Sequence, residues 1–82
     1  MKYLSNLIPE VMKREPVEST AIKSIGYNED KQLLEVEILE TGRVYQYKDV
    51  SVEEYLDFMD AKSLGEYYNR VIKDKYEYRE LA

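Results

Sequence analysis

Apolar positions recur at helical spacing at both ends of the chain and at strand spacing in the middle. In the first sixteen residues, Leu7, Ile8, Val11 and Met12 share one face. Asn6 is placed to cap the turn, and Pro9 is tolerated in a first turn. Pro16 closes this run, because the residue before a proline is pushed out of the α region. A short amphipathic N-terminal helix is predicted there, as an extension (1–16) ahead of a domain spanning 17–82. From Val17 the period drops. Thr20 to Tyr27 is rich in β-formers, and Ile22 and Ile25 break strict alternation, which predicts a bulge or burial on both faces. Asn28-Glu29-Asp30-Lys31 reads as a polar turn. Leu34, Val36 and Ile38 then alternate with Glu35 and Glu37 in a half-buried strand, its glutamates facing solvent. Thr41-Gly42 turns the chain into a third strand, Arg43 to Asp49, carrying Tyr45 and Tyr47 on one face.

Two helices follow, each announced by a cap. Ser51-Val52-Glu53-Glu54 and Ser63-Leu64-Gly65-Glu66 both fit the box in which a serine and a glutamate satisfy first-turn amides reciprocally. Val52, Tyr55, Leu56 and Met59 form the predicted inner face of the first helix. Leu64, Tyr67, Tyr68, Val71 and Ile72 form that of the second. Residues 75–81 alternate through Tyr76 and Tyr78 and are read as a returning extended edge. The predicted fold is α+β: a three-stranded antiparallel β-meander, then helices over 52–60 and 64–74 packed on one face, with the short N-terminal helix in front.

Composition narrows the chemistry. The 82 residues include neither cysteine nor histidine. That removes thiol nucleophiles, Ser-His triads, imidazole bases and thiolate or imidazole metal sites. Three glycines make no phosphate-cradling loop. The carboxylate pairs Glu35/Glu37 and Asp57/Asp60 fall on faces the pattern assigns to solvent, without the desolvation that acid catalysis by a carboxyl pair needs. Ser51 and Ser63 are accounted for as caps. A non-catalytic protein is expected, without cofactor or metal. No apolar run reaches the length of a signal core or a membrane span, so a cytoplasmic location without membrane contact is expected. The net charge of −5 weighs against nucleic acid as a partner, although a local basic patch acts within a Debye length of about 8 Å.

Nine of the ten aromatic residues are tyrosine, which suits half-buried positions with the ring inside and the hydroxyl at water. Tyr45 and Tyr47 have two readings: core rings under the helices, or a stacking platform for unpaired bases. Arg70, Lys73, Lys75 and Arg79 form a basic run near the C-terminus, read either as a solvated face or as phosphate contacts.

Several motifs resemble those of the KTSC domain family, over Glu18 to Leu81. They are Ser19-Thr20-Ala21-Ile22, Ile25-Gly26-Tyr27, Leu34-x-Val36, Tyr45-Gln46-Tyr47 with Asp49-Val50, Ala61-Lys62-Ser63-Leu64-Gly65-x-Tyr67-Tyr68-Asn69, and Tyr76. The family is named for a module at the C-terminus of some lysyl-tRNA synthetases and also occurs as short bacterial proteins. Ser51 stands where the family usually has a proline, and residues 1–16 lie outside its pattern. The resemblance implies an RNA-binding module, for which Arg43, Tyr45, Tyr47, Lys48, Arg70, Lys73 and Lys75 are the candidate contacts. The alternative is a protein–protein adaptor working through its acidic surface or through Leu7, Ile8, Val11 and Met12. Either is expected as a monomer or weak dimer.

Overall fold

The computed structural model describes residues 12–82. Strands β1 (Glu15–Pro16), β2 (Ile22–Asn28), β3 (Leu33–Ile38), β4 (Val44–Tyr47) and β5 (Tyr78–Glu80) form one antiparallel sheet in sequential order. Between β4 and β5 lie helix α1 (Val52–Met59) and helix α2, which is α-helical over Leu64–Tyr67 and continues as a π turn over Tyr68–Ile72. The α+β meander matches the sequence reading in its three central strands and two helices. It differs in having five strands. β1 is a two-residue edge strand containing a proline, tolerated there because an edge can spare an N–H. β5 is the returning tail. Of the predicted N-terminal helix, Leu7, Ile8 and Val11 lie outside the described residues, and Met12 is half-buried without regular structure.

The irregularity at Ile22 and Ile25 is a bulge. Ile22 pairs with Ile38 and Ser24 with Glu37, so Lys23 is the extra residue, and both isoleucines become buried. Ser19 prepares this strand by accepting hydrogen bonds from the Ala21 and Ile22 amides. Cross-strand registers Ile25↔Val36↔Tyr45 and Tyr27↔Leu34↔Tyr47 define the face against which the helices pack. The core there comprises Ile22, Ile25, Leu34, Val36, Tyr47, Val50, Phe58, Tyr68 and Ile72. Tyr55 of α1 stacks on Tyr27 with ring centroids 4.4 Å apart.

Both serine caps form: Ser51 Oγ accepts from the Glu54 amide and Ser63 Oγ from the Glu66 amide, each at 3.2 Å. The inner face of α1 differs from the predicted one. Phe58 and Glu54 point inward, whereas Leu56 is 56% exposed. Helix α2 buries the side predicted for it through Tyr68 and Ile72. Its entry approaches β2 so closely that a Cβ on Gly65 would lie 2.8 Å from Ala21 Cβ.

The other sheet face is also covered, which overturns the solvated reading of the strand glutamates. Glu35 is 1% exposed and lies beneath the segment that leads into β1. Arg14 Nη1 reaches Glu35 Oε1 at 2.7 Å, and Gln46 Nε2 donates to Glu35 Oε2 at 2.9 Å. Ser24 donates to Glu37 at 2.7 Å, and Arg79 Nε donates to Gln46 Oε1 at 3.2 Å. Strict alternation of apolar and polar residues is therefore kept, with the polar side buried as a hydrogen-bonded layer rather than left to water.

Candidate functional site

Two polar arrangements stand out on the helical side of the sheet. The first is structural. Both carboxylate oxygens of Glu54 are occupied: Oε2 accepts from the Tyr67 hydroxyl, and Oε1 accepts from Lys75 Nζ and the Tyr76 hydroxyl, each at 2.7 Å. Burial alone would raise this carboxyl, but the hydrogen bonds from Lys75, Tyr67 and Tyr76 outweigh it and hold its pKa at about 2. The phenols of Tyr67 and Tyr76 are pushed up by burial and by the same carboxylate, so both stay protonated donors. At neutral pH this carboxylate stays charged and fully bonded, with no proton to give. Its role is to tie the tail to α1.

The second is a cleft of about 340 Å³ between the β4–β5 edge and the π turn of α2, within the common range for ligand sites. Its floor is Tyr47 and Tyr68, whose hydroxyls share a hydrogen bond of 2.5 Å and whose rings meet edge to face. Burial raises both phenols, so the floor is neutral. Tyr45 and Tyr78 form an aromatic wall, T-shaped at 5.5 Å. Asn69 of α2, with Lys73 and Asp74 just past its end, faces them, and Arg43 lies at the strand side, 3.9 Å from Glu80. The π turn sets this arrangement through the Lys73 amide, which donates to the Tyr68 carbonyl five residues back. The wider turn brings Asn69 and Lys73 to the cleft while Tyr68 and Ile72 stay inside.

Of the sequence candidates, Arg43, Tyr45, Tyr47 and Lys73 converge on this cleft. Tyr47 is there as core, 2% exposed, so one of the two readings of the tyrosine pair holds for it. Tyr45 is half-buried and Tyr78 is 57% exposed; they are the rings a ligand can reach. Lys48 is excluded by strand alternation: it shares the parity of Gln46, points to the opposite side, and pairs with Glu77 at 3.3 Å. Arg70 pairs with Glu66 at 3.8 Å, and Lys75 is committed to Glu54. Sequence reasoning did not assign Tyr68, Asn69, Asp74 or Tyr78 to the site. The alternation through Tyr76 and Tyr78 was the available signal for the last, but the register Tyr47↔Tyr78 is a tertiary fact. Among the described residues no helix is long and apolar enough to cross a membrane, and no group of three or more acidic side chains is arranged to hold a metal ion.

A five-stranded meander backed by two capped helices, with an aromatic cleft at one edge, defines a small α+β domain of one layer of helix on one sheet. The chain belongs to the KTSC domain family, whose family model matches residues 18–76. It is similar to a KTSC domain protein of Yersinia pestis of known crystal structure, with a TM-score of 0.82 and 40% identity, covering 88% of this chain and 100% of that one. An uncharacterised protein of Stutzerimonas stutzeri is 37% identical over 65 residues, 79% of this chain and 90% of the relative. A lysine–tRNA ligase of Nostoc punctiforme is 37% identical over 67 residues, again 79% of this chain but 11% of the ligase.

Proposed function

We propose that this domain is a non-catalytic RNA-binding module and that the cleft holds an unpaired nucleotide. The observation that carries this reading is the meeting of two accessible tyrosine faces, Tyr45 and Tyr78, with two cations, Arg43 and Lys73, at one concavity. Aromatic faces take bases and cations take the phosphates between them. The occurrence of similar sequence within a lysine–tRNA ligase, a protein that acts with tRNA, supports the same class of partner. The overall charge of −5 makes the contact local and confines it to this edge.

The test is a titration of isotope-labelled protein with short single-stranded RNA. Saturable amide shifts are expected at Arg43, Tyr45, Asn69, Lys73 and Tyr78, weakening as salt rises with a log–log slope of about −1.4 for two phosphate contacts on a single strand. Tyr78→Ala, at an exposed position, is expected to weaken binding by about 5- to 150-fold, the worth of one stacked base, with the unfolding midpoint nearly unchanged. An unperturbed spectrum at low salt sinks the reading.

A second reading has its own observation. On the outer face of α1, Leu56 and Met59 are exposed beside Asp57 and Asp60, an apolar and acidic surface of the kind a basic protein segment would cover. Leu56→Lys separates the two readings: it abolishes a protein contact there and leaves the RNA titration intact.

A further inference from the structure

Asp74 is out of place in a site for phosphates. It lies in the same cleft as Lys73 and Arg43, with its side chain exposed to solvent. It sits past the C-terminal end of α2, where the helix dipole disfavours an anion. Its neighbour Lys73 is one residue away and so does not face it along a helix. Its field reaches the floor of the cleft, where it adds to burial in raising the Tyr68 phenol. Asn69, likewise exposed, also lines the cleft. An accessible acceptor-only carboxylate and an accessible amide thus flank an aromatic wall.

We propose that the cleft selects guanine, with Asp74 reading the base's Watson–Crick edge. This deepens the RNA reading above and rests on it. Guanine is the one standard base whose edge offers two adjacent donors, N1–H and the N2 amino group, which a carboxylate accepts in parallel. Adenine and cytosine place a ring acceptor next to their amino donor and would set a lone pair against the carboxylate. Uracil offers a single donor between two carbonyls. The Asn69 amide is the complementary donor for guanine O6 or N7. Tyr45 or Tyr78 takes the base face, and Lys73 and Arg43 take the flanking phosphates. The acid is then a specificity element: it costs affinity for the backbone and returns discrimination between bases.

The experiment uses four fluorescein-labelled pentanucleotides, UUNUU with N = G, A, C or U, titrated by anisotropy against the full chain, with the inosine oligomer and free GMP as further probes. The guanine oligomer is expected to bind at least 10-fold more tightly than the other three, in keeping with the discrimination of a two-hydrogen-bond base contact. Inosine, which keeps N1–H and lacks the N2 amino group, falls between. GMP binds at least 10-fold more weakly than the oligomer, because it lacks the second phosphate. Asp74→Asn is expected to erase the preference while still binding RNA, since removing an anion does not weaken phosphate contacts. Equal binding of the four oligomers, with amide shifts at the cleft, overturns the guanine assignment and leaves the RNA module standing. A guanine preference that survives Asp74→Asn overturns it as well. Binding of none of the oligomers removes the RNA reading and this inference with it. GMP binding as tightly as the oligomer overturns the proposal by reassigning the cleft to a free nucleotide.

Discussion

The substitution Glu54→Gln tests the anchor between the tail and α1. The carboxylate of Glu54 is 9% exposed and receives three hydrogen bonds, one of them from a lysine. Its pKa of about 2 in the folded chain compares with about 4.3 in an unfolded one. A gap of that size corresponds to about 3 kcal/mol of stability at neutral pH. Lys75 is more than half exposed, so solvent screening brings the expected value to about 2 kcal/mol. That is a large share of the roughly 4–12 kcal/mol available to a chain of this length. Because the folded pKa is depressed, the contribution is complete above the unfolded pKa and is lost as the pH falls from about 4.3 through about 2. Urea unfolding of both proteins, followed by circular dichroism at pH 7, 4.5, 3 and 2, reads this directly. The wild type is expected to exceed the Gln variant by about 2 kcal/mol at pH 7 and by only a few tenths at pH 2. A difference that stays constant across that range would falsify the charge-based account and leave packing as the cause.

Two further substitutions probe the covered faces of the sheet. Tyr47→Phe leaves the Tyr68 hydroxyl buried without its 2.5 Å partner, and a loss of about 1–3 kcal/mol is expected in urea unfolding; a neutral result means the pair is wet. Gly26→Ala puts a methyl 2.8 Å from the Lys13 carbonyl, so a cost of about 1–3 kcal/mol is expected together with faster amide exchange at Val17, whose N–H is bonded to Lys23. Unchanged exchange there shows that the segment is not held against Gly26.

What the sequence displayed was the part of the fold governed by local rules. The serine caps, the strand alternation around Leu34, the bulge between Ile22 and Ile25, and the inner side of α2 all rest on neighbours a few residues apart. The misread elements depend on partners far along the chain. Glu35 and Glu37 look like the wet side of a strand, and they are covered because Arg14 and Gln46 arrive from elsewhere to satisfy them. Helix α1 has an apolar stripe through Leu56 and Met59, yet it turns Phe58 inward and carries Glu54 with it, which is tolerable only because Tyr67, Tyr76 and Lys75 converge on that carboxylate. The π turn has no signature in residue spacing. Several of the candidate contacts were legible as residue types, but the cleft itself exists only once β5 returns beside β4.

That return is the step on which the site depends. β5 is three exposed residues long, and one of its edges is open, so the β4 ladder alone holds it weakly. Tyr78, the most exposed wall of the cleft, stands between two anchors that act on opposite sides of the sheet. Upstream, Lys75 and Tyr76 are bonded to Glu54. Downstream, Arg79 joins Gln46, and through it Glu35 and Arg14. Tyr76→Phe removes one charge-assisted hydrogen bond from the first anchor, without changing the net charge or touching the cleft. If the anchor positions the wall, amide exchange at Tyr78–Glu80 accelerates about 10- to 150-fold, the equivalent of about 1.5–3 kcal/mol of local opening. RNA affinity then falls by a factor of about 2–5, because an ordered wall must be re-formed on binding. Exchange that rises equally in β5 and in the core strand β3 means the opposite: the tail then opens only with the whole domain, and the cleft is as rigid as the core beneath it.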